Sequence, residues 1–371
     1  MKKRKLLFLA TEDWFVRSHF LPLVERAHAE DFEVVVAARS SSADLGPARV
    51  VPMPFDRGGG TLEAFLRETA AVRALLDAER PDIVHAIALK PIAQLLFAPH
   101  GHAGRAFALT GRGYLAASAT VPTRALSCVL ARRLRAAVVE SKSLLIVEND
   151  ADRRWVEAAN PLPDNRVVLM PGAGVDPDEY LPLPEPGAGP IIVGVASRLV
   201  KSKGIDIAIR AVQRLRELGE NIELRIAGAI DHDNPEHVRE EQIVRWAELP
   251  GVAFLGHVTD IKAFWADVHI ACLPSRGGEG LPRSMLEAAA CARAIVTTDV
   301  PGCADFVGKA AGIVVPPDNP DALSTALLKL TYDGAVRREM GRRARKRVME
   351  AYTTLHAADC AASAWRRMEK S

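Results

Sequence analysis

Cysteine is scarce. Five residues, Cys128, Cys272, Cys291, Cys303 and Cys360, are scattered over 371 positions with no C-x-x-C pair. That excludes a disulfide framework or a zinc site and leads us to expect a reducing, cytoplasmic setting. Net charge is nearly absent: 48 basic against 46 acidic side chains give +2, so no global field recruits nucleic acid and any basic site must be local. Long apolar runs are missing too. Leu6–Ala10, behind Met-Lys-Lys-Arg-Lys, is too short for a signal-peptide core or a bilayer span and reads as a buried first strand. There are no repeats or low-complexity tracts, and no G-x-G-x-x-G follows the first strand, which disfavours a dinucleotide oxidoreductase.

What is present is a hydrophobic share of 49%, enough for a core in each of about two domains. Short runs rich in Val, Ile and Leu (5–10, 33–38, 83–86, 144–147) alternate with helical stretches (21–29, 61–79), the pattern of parallel β-α-β units covered on both faces. Around Pro171–Pro190 the texture changes to PGAGVDPDEYLPLPEPGAGP, which continues neither a helix nor a central strand and reads as a linker. The alternation then restarts: strands at 191–196, 222–227, 252–255, 270–273, 294–297 and 312–315, and helices at 205–218, 236–247, 282–291, 320–330 and 334–351. A last amphipathic segment covers 355–368. The predicted fold is α/β, with two doubly wound Rossmann-like domains, 1–176 and 177–352, and a helix at 353–371 packing back on the first. Two such domains enclose a cleft at the carboxyl ends of their strands, where ligands bind in open α/β sheets.

Chemistry concentrates in GGEGLPRSMLEAAAC, Gly277–Cys291. Pro282 suits the first position of a helix, so Glu279 precedes it in a glycine loop, while Glu287 sits more than a turn inside, among Met285, Leu286 and Ala288–Ala290. A lone buried carboxylate costs several kcal/mol, roughly, unless something hydrogen-bonds it. Two readings stand. Either ligand hydroxyls satisfy Glu287, or it lies on a partly exposed stripe with Glu279 as loop decoration. The segment VASRLVKSKG places Arg198 and Lys203 just beyond a strand, on the same sheet edge. A cation pair facing a helix N-terminus is what a diphosphate needs where no metal neutralises it. Lys201 reads as a surface residue.

Together these stretches resemble the retaining GT-B glycosyltransferases of family 4: E279-G-L-P-R-S-M-L-E287 matches the E-x7-E signature, SRLVKSKG the diphosphate-binding segment, and PGAGVDPDEY the interdomain stretch. TEDWFVRSHFLPL, PDIVHAIALKP and ALTGRGYL resemble bacterial members that extend lipid-linked or surface polysaccharides, often from UDP-sugars. The resemblance implies that Glu287 holds the ribose hydroxyls and that Glu279 contacts the donor sugar near its anomeric centre. It implies that Arg198 and Lys203 stabilise the departing diphosphate, aided by main-chain N–H groups of Gly280 and Leu281 at the helix start beside Pro282. Transfer would retain anomeric configuration with no divalent metal and no cofactor, the nucleotide sugar being a substrate. Asp231–His237, DHDNPEH, reads as a polar turn capping the next helix rather than a metal site. Ala292 stands where glycine is usual, and Cys303-Ala304-Asp305 departs from the usual donor-loop ending.

In the first domain His85 follows an apolar strand and is expected at the cleft rim, near the donor sugar or its phosphate. Asp13, Trp14 and His19 are expected on the acceptor side. The stretch from Arg105 to Lys142 carries seven basic residues against Glu140. Within it, 124–142 is either a surface lying on an anionic membrane beside a lipid-linked acceptor or a solvated basic face. The expected function is transfer of a hexose or N-acetylhexosamine to a lipid-linked or polysaccharide acceptor in cell-envelope glycan assembly. Alternatives are a sugar-nucleotide epimerase of the same architecture and a non-enzymatic sugar-nucleotide-binding protein.

Overall fold

The structure is a computed structural model that describes residues 3–40, 42–56, 61–98, 103–113, 121–140, 142–158 and 160–369. Tyr114 and Leu115 of the ALTGRGYL stretch, and Ser141 of the basic stretch, lie outside them. The chain divides into two compact units, Met1–Gly174 with Thr354–Ser371, and Val175–Thr353.

The first unit runs β1 (Arg4–Glu12), α1 (Leu21–Ala29), β2 (Phe32–Arg39), β3 (Arg49–Pro52), α2 (Leu62–Glu79), β4 (Ile83–Ile87), α3 (Leu89–Phe97), β5 (Gly104–Leu109), α4 (Val121–Val139), β6 (Ser143–Val147), α5 (Asp150–Glu157) and β7 (Val167–Leu169). Among the described residues these strands form one parallel sheet in the order β3-β2-β1-β4-β5-β6-β7. Its two faces can be read from strand alternation. Leu6, Phe8 and Ala10 enter one buried cluster, and Leu7 and Leu9 the other. Thr61 caps α2 by accepting the N–H of Ala64, which is why a helix starts there.

The second unit contains β8 (Ile191–Ala196), α6 (Ile205–Glu217), β9 (Ile222–Ala227), α7 (Glu240–Ala247), β10 (Val252–Gly256), α8 (Ile261–Ala266), β11 (Ile270–Leu273), α9 (Arg283–Ala290), β12 (Ala294–Thr298), α10 (Cys303–Val307), β13 (Gly312–Val315), α11 (Pro320–Tyr332) and α12 (Gly334–Ala351). Its parallel sheet has the order β10-β9-β8-β11-β12-β13 among the described residues. The last helix, α13 (Thr354–Glu369), buries Ala357, Ala361, Ala364, Trp365 and Met368 in the first unit's core. In each sheet the chain reverses its direction of winding at one point, between β1 and β4 and between β8 and β11, and such switch points open a crevice at the carboxyl ends of the strands.

Two helix boundaries differ from expectation. Pro282 is the N-cap of α9 rather than its first residue, with an extended ψ of 124°. The helix expected from Glu236 begins at Glu240, because the preceding residues form a turn in which Asn234 N–H donates to the Asp231 carbonyl at 2.8 Å. DHDNPEH does not cap α7, whose N-cap is Arg239, without a side-chain capping hydrogen bond. Of the basic stretch, Arg105 pairs with Glu140, Arg112 with Asp152, and Arg135 donates to the Asn160 carbonyl, while Arg124 and Arg132 stay exposed.

Helix α9 ends in a Schellman motif: Arg293 N–H donates to Ala288 O and Ala292 N–H to Ala289 O, both at 2.9 Å. This closure puts Ala292 in the left-handed region at φ +58°, where a Cβ is unfavourable and glycine is usual. Helix α12 packs directly on this cap, since a Cβ on Gly341 would lie 2.0 Å from the Ala292 carbonyl oxygen. Ala292→Gly is therefore expected to stabilise the protein by roughly 0.5–1 kcal/mol, the relieved strain less the added chain entropy. Gly341→Ala is expected to destabilise it by roughly 1–3 kcal/mol. Urea midpoints read both, and a lower midpoint for Ala292→Gly would show that the cap is unstrained.

Candidate functional site

The site is built on the exits of β8 and β11. After β8 the chain passes Ser197 and Arg198 into a single 3-10 turn, Lys201–Lys203, and leaves it through Gly204 at φ +65°. Only glycine fits there, because a Cβ would meet the Pro274 carbonyl oxygen at 1.9 Å. Pro274 belongs to the β11 exit, so the two loops touch backbone to backbone. That contact brings Lys203 to Glu279: its Nζ donates to both carboxylate oxygens, at 2.6 and 2.8 Å. Ser275 Oγ also donates to Glu279 Oε1, at 2.8 Å. Val195, Ala196, Ser197, Lys203, Ser275 and Pro282 are among the residues lining a pocket over these strand ends. Gly280 and Leu281 are buried beside it, and the first N–H groups of α9 have no intrahelical acceptor.

Arg198 does not join Lys203. Its Nη1 donates at 2.5 Å to Asp231, whose side chain is only 6% exposed. Isolated bridges Leu199↔Ile230 and Val200↔His237 hold the 230–237 turn against the β8 exit. Asp231–His237 thus caps no helix, and no group of three or more His, Cys, Asp or Glu side chains placed to hold a metal ion occurs among the described residues.

Glu287 is buried, which removes the exposed-stripe reading. Arg283 Nε donates to it at 2.9 Å, one turn back on α9, and the Tyr180 hydroxyl at 3.2 Å from the linker. Burial is the largest influence and pushes the Glu287 carboxyl above its usual value, only partly countered by the Arg283 charge and the two hydrogen bonds.

In the first unit β1 runs directly into a helical turn, Asp13–Phe15, and a π-helical turn, Val16–Phe20, a local irregularity that often marks functional sites. Asp13 is fully buried and accepts the Ala43 N–H at 3.2 Å. Trp14 is exposed, and His19 Nδ1 lies 2.7 Å from Ser18 Oγ. His85 is a correction. It is not at a rim but in the middle of β4, fully buried, receiving the Trp365 indole N–H at 3.0 Å and packed on Phe8. Burial lowers its pKa to about 3, so the imidazole is neutral. Because β4 continues to Ile87, His85 belongs to the core.

Sequence reasoning missed Ser275, Arg276, Tyr180, Arg283 and Asp231. Arg283 had a signal, the i,i+4 spacing to Glu287; Tyr180 and Asp231 had none, since their partners are far away in sequence.

Glu287 sets a pH test. Its folded value lies above the unfolded one, so the folded protein binds more protons and stability rises as pH falls through the folded titration. Tyr180→Phe removes a donor to the ionised form. It is expected to cost about 1–2 kcal/mol at neutral pH, shrinking as Glu287 protonates, and urea titrations of both proteins across the acid range check this. A pH-independent penalty would detach Tyr180 from Glu287.

Comparison with known proteins fits this geometry. Residues 190–333 match the family described as Glycosyl transferases group 1, and residues 5–100 the family Glycosyl transferase 4-like. The Staphylococcus aureus capsular polysaccharide biosynthesis glycosyltransferase CapM is 27% identical over 164 residues, 44% of this chain and 42% of that protein. The chain spans 24–52% of the length of the first curated relatives it matches. Sucrose-phosphate synthase from Thermosynechococcus elongatus has a TM-score of 0.80 at 16% identity, over 99% of this chain and 100% of that one. Anabaena Alr3699/HepE, solved in complex with UDP and glucose, has a TM-score of 0.74 at 18% identity, over 97% and 98%. The chain is thus built of two Rossmann-like units of the GT-B fold, residues 5–100 of the first matching the Glycosyl transferase 4-like family and residues 190–333 of the second the Glycosyl transferases group 1 family.

Proposed function

We propose that this chain is a retaining glycosyltransferase of family 4 that moves a hexose or N-acetylhexosamine from a UDP-sugar to a lipid-linked or polysaccharide acceptor in cell-envelope glycan assembly. The observation that carries this is the meeting of Lys203 with Glu279 at the β8/β11 switch point, beside a pocket lined by Lys203, Ser275 and Pro282 at the start of α9, with Arg198 on the same strand exit. A diphosphate needs cations and N–H donors there, and a sugar needs a carboxylate. Glu287 takes the ribose hydroxyls, Glu279 the donor sugar, and Arg198, Lys203 and the Gly280 and Leu281 N–H groups the diphosphate. As the bond from the anomeric carbon to the phosphate oxygen breaks, a bond to the acceptor oxygen forms on the same face, and the acceptor's proton passes to the departing phosphate. No divalent metal takes part. Asp13, Trp14 and His19 serve the acceptor side.

Nothing in the comparisons supports an epimerase. CapM and HepE support the polysaccharide and UDP-sugar parts of the reading through what their names and complexes state. For a lipid-linked acceptor we propose that α4 lies on an anionic membrane surface, because Leu126 and Val129 are about half exposed beside exposed Arg124 and Arg132. No described helix is long and apolar enough to cross a membrane.

A panel of UDP-, GDP- and ADP-sugars tests the site by thermal shift and slow donor hydrolysis. At least one UDP-sugar is expected to stabilise the wild type, and Glu279→Ala, Glu287→Ala and Arg198→Ala to lose the response. Arg198→Ala is expected to lower turnover about 10²–10³-fold. Variants that respond as the wild type does would sink the assignment, and activity lost to EDTA would sink metal independence. The α4 proposal predicts cosedimentation with phosphatidylglycerol vesicles but not phosphatidylcholine vesicles, weakened by Leu126→Ser/Val129→Ser; equal binding to both lipids, or none, overturns it.

A further inference from the structure

We propose that Arg276 is a positioning residue that sets the Lys203–Glu279 pair; this rests on the donor-site reading above. Arg276 leaves β11 three residues before Glu279, and its backbone N–H donates to the Ser202 carbonyl at 2.7 Å. Its guanidinium reaches back to the opposite loop. Nη1 donates to the Lys201 carbonyl at 2.6 Å and to Asp206 Oδ1 at 2.8 Å, Nη2 to Asp206 Oδ2 at 2.8 Å, and Nε to Asp318 at 2.5 Å. Asp206 stands in the first turn of α6, immediately after the Lys203 turn. Burial would raise the Asp206 carboxyl, but the hydrogen bonds and charge of Arg276 outweigh it and hold it below its usual value.

The result is a closed circuit between two loops. Arg276 fixes both ends of the turn that carries Lys203, Lys203 returns to Glu279, and Glu279 belongs to the loop of Arg276. The Gly204–Pro274 backbone contact leaves no room for slippage. The Arg276 guanidinium is taken up by Asp206, Asp318 and the Lys201 carbonyl, so it acts through the Lys203 turn rather than on a ligand. A lysine cannot take its place: the planar fork satisfies a carboxylate in parallel while still reaching a carbonyl and a second carboxylate, whereas an ammonium offers one point charge. Misplacing a group near the chemistry by about 1 Å costs about 10²-fold.

The test is a double-mutant cycle on UDP-sugar hydrolysis, with UDP binding measured alongside. Arg276→Lys is expected to lower kcat about 10- to 100-fold. In a Lys203→Ala background the same change is expected to lower kcat by less than about twofold, because the residue it positions is gone. Added guanidinium ion is expected to restore part of the rate to Arg276→Ala but not to Lys203→Ala. Additive losses in the cycle would mean that Arg276 is merely structural, and a wild-type rate in Arg276→Lys would overturn the proposal outright. A wild type that binds UDP but shows either of those results defeats the positioning role alone. One that binds no nucleotide defeats the donor-site reading and this inference with it.

Discussion

Charge compensation across the β8/β11 gap is the constraint on which the second unit's site rests. These strands pair only through Ile270 with Val193 and Ala271 with Gly194, so ladder hydrogen bonds do not tie their exits together. The loops do it instead, through the Arg276 N–H donating to the Ser202 carbonyl at 2.7 Å and through side chains. Lys203 is matched by Glu279 and Arg276 by Asp206, each pair crossing the gap, while Arg198 is matched by Asp231 from beyond β9. Asp231 is buried, and taking a partner from a buried charge costs more than the pair is worth against an apolar alternative. The loops therefore hold one another in a single arrangement even though they are irregular.

Much of the fold was legible because its signals are local. The bounds of β8, β9, β11, β13 and α12 follow from apolar runs punctuated by Gly, Pro and Asp, and both sheet faces follow from period-two burial in strands such as Leu6–Ala10. Glu279, Arg198 and Lys203 were legible as charged residues where a strand ends or a helix begins, and Glu287 as a carboxylate inside an apolar helix. Their partners were not. Tyr180 lies 107 positions from Glu287 and Lys203 76 from Glu279, and no periodicity in the chain announces such a meeting. Arg276 sits in a Pro-Ser-Arg-Gly-Gly run whose texture reads as loop, and its importance comes from where its fork reaches.

His85 shows the opposite failure, a strong local signal with the wrong meaning. A histidine after Ile83 and Val84 looks like a strand terminus, but Ala86 and Ile87 extend the strand and carry the ring into the core. The ring's one hydrogen bond among the described residues comes from Trp365, 280 positions later, whose indole N–H satisfies the imidazole Nδ1 and leaves buried Nε2 without a partner. The partner lies on α13, an alanine-rich helix that returns to the first unit, so the environment of a residue in β4 is decided by the end of the chain. Burial then keeps the ring neutral, which suits a hydrogen-bond acceptor in a core and not a proton donor at a rim.

Under the proposed function the pairing of Glu279 with Lys203 also divides binding from catalysis. A diphosphate arriving at Lys203 must share that ammonium with a carboxylate already in contact with it, and the two anions repel, so the pair weakens ground-state binding relative to a lysine without a partner. As the glycosidic bond to phosphate stretches, negative charge grows on the departing oxygen and positive charge on the anomeric carbon. The Lys203 ammonium gains from the first and the Glu279 carboxylate from the second. The interaction between Glu279 and the donor thus changes sign along the reaction, from repulsion by the diphosphate to attraction by the sugar carbon. Only a contribution that grows towards the transition state raises turnover. A carboxylate fixed by Lys203 and Ser275 before the charge develops is oriented in advance for that role.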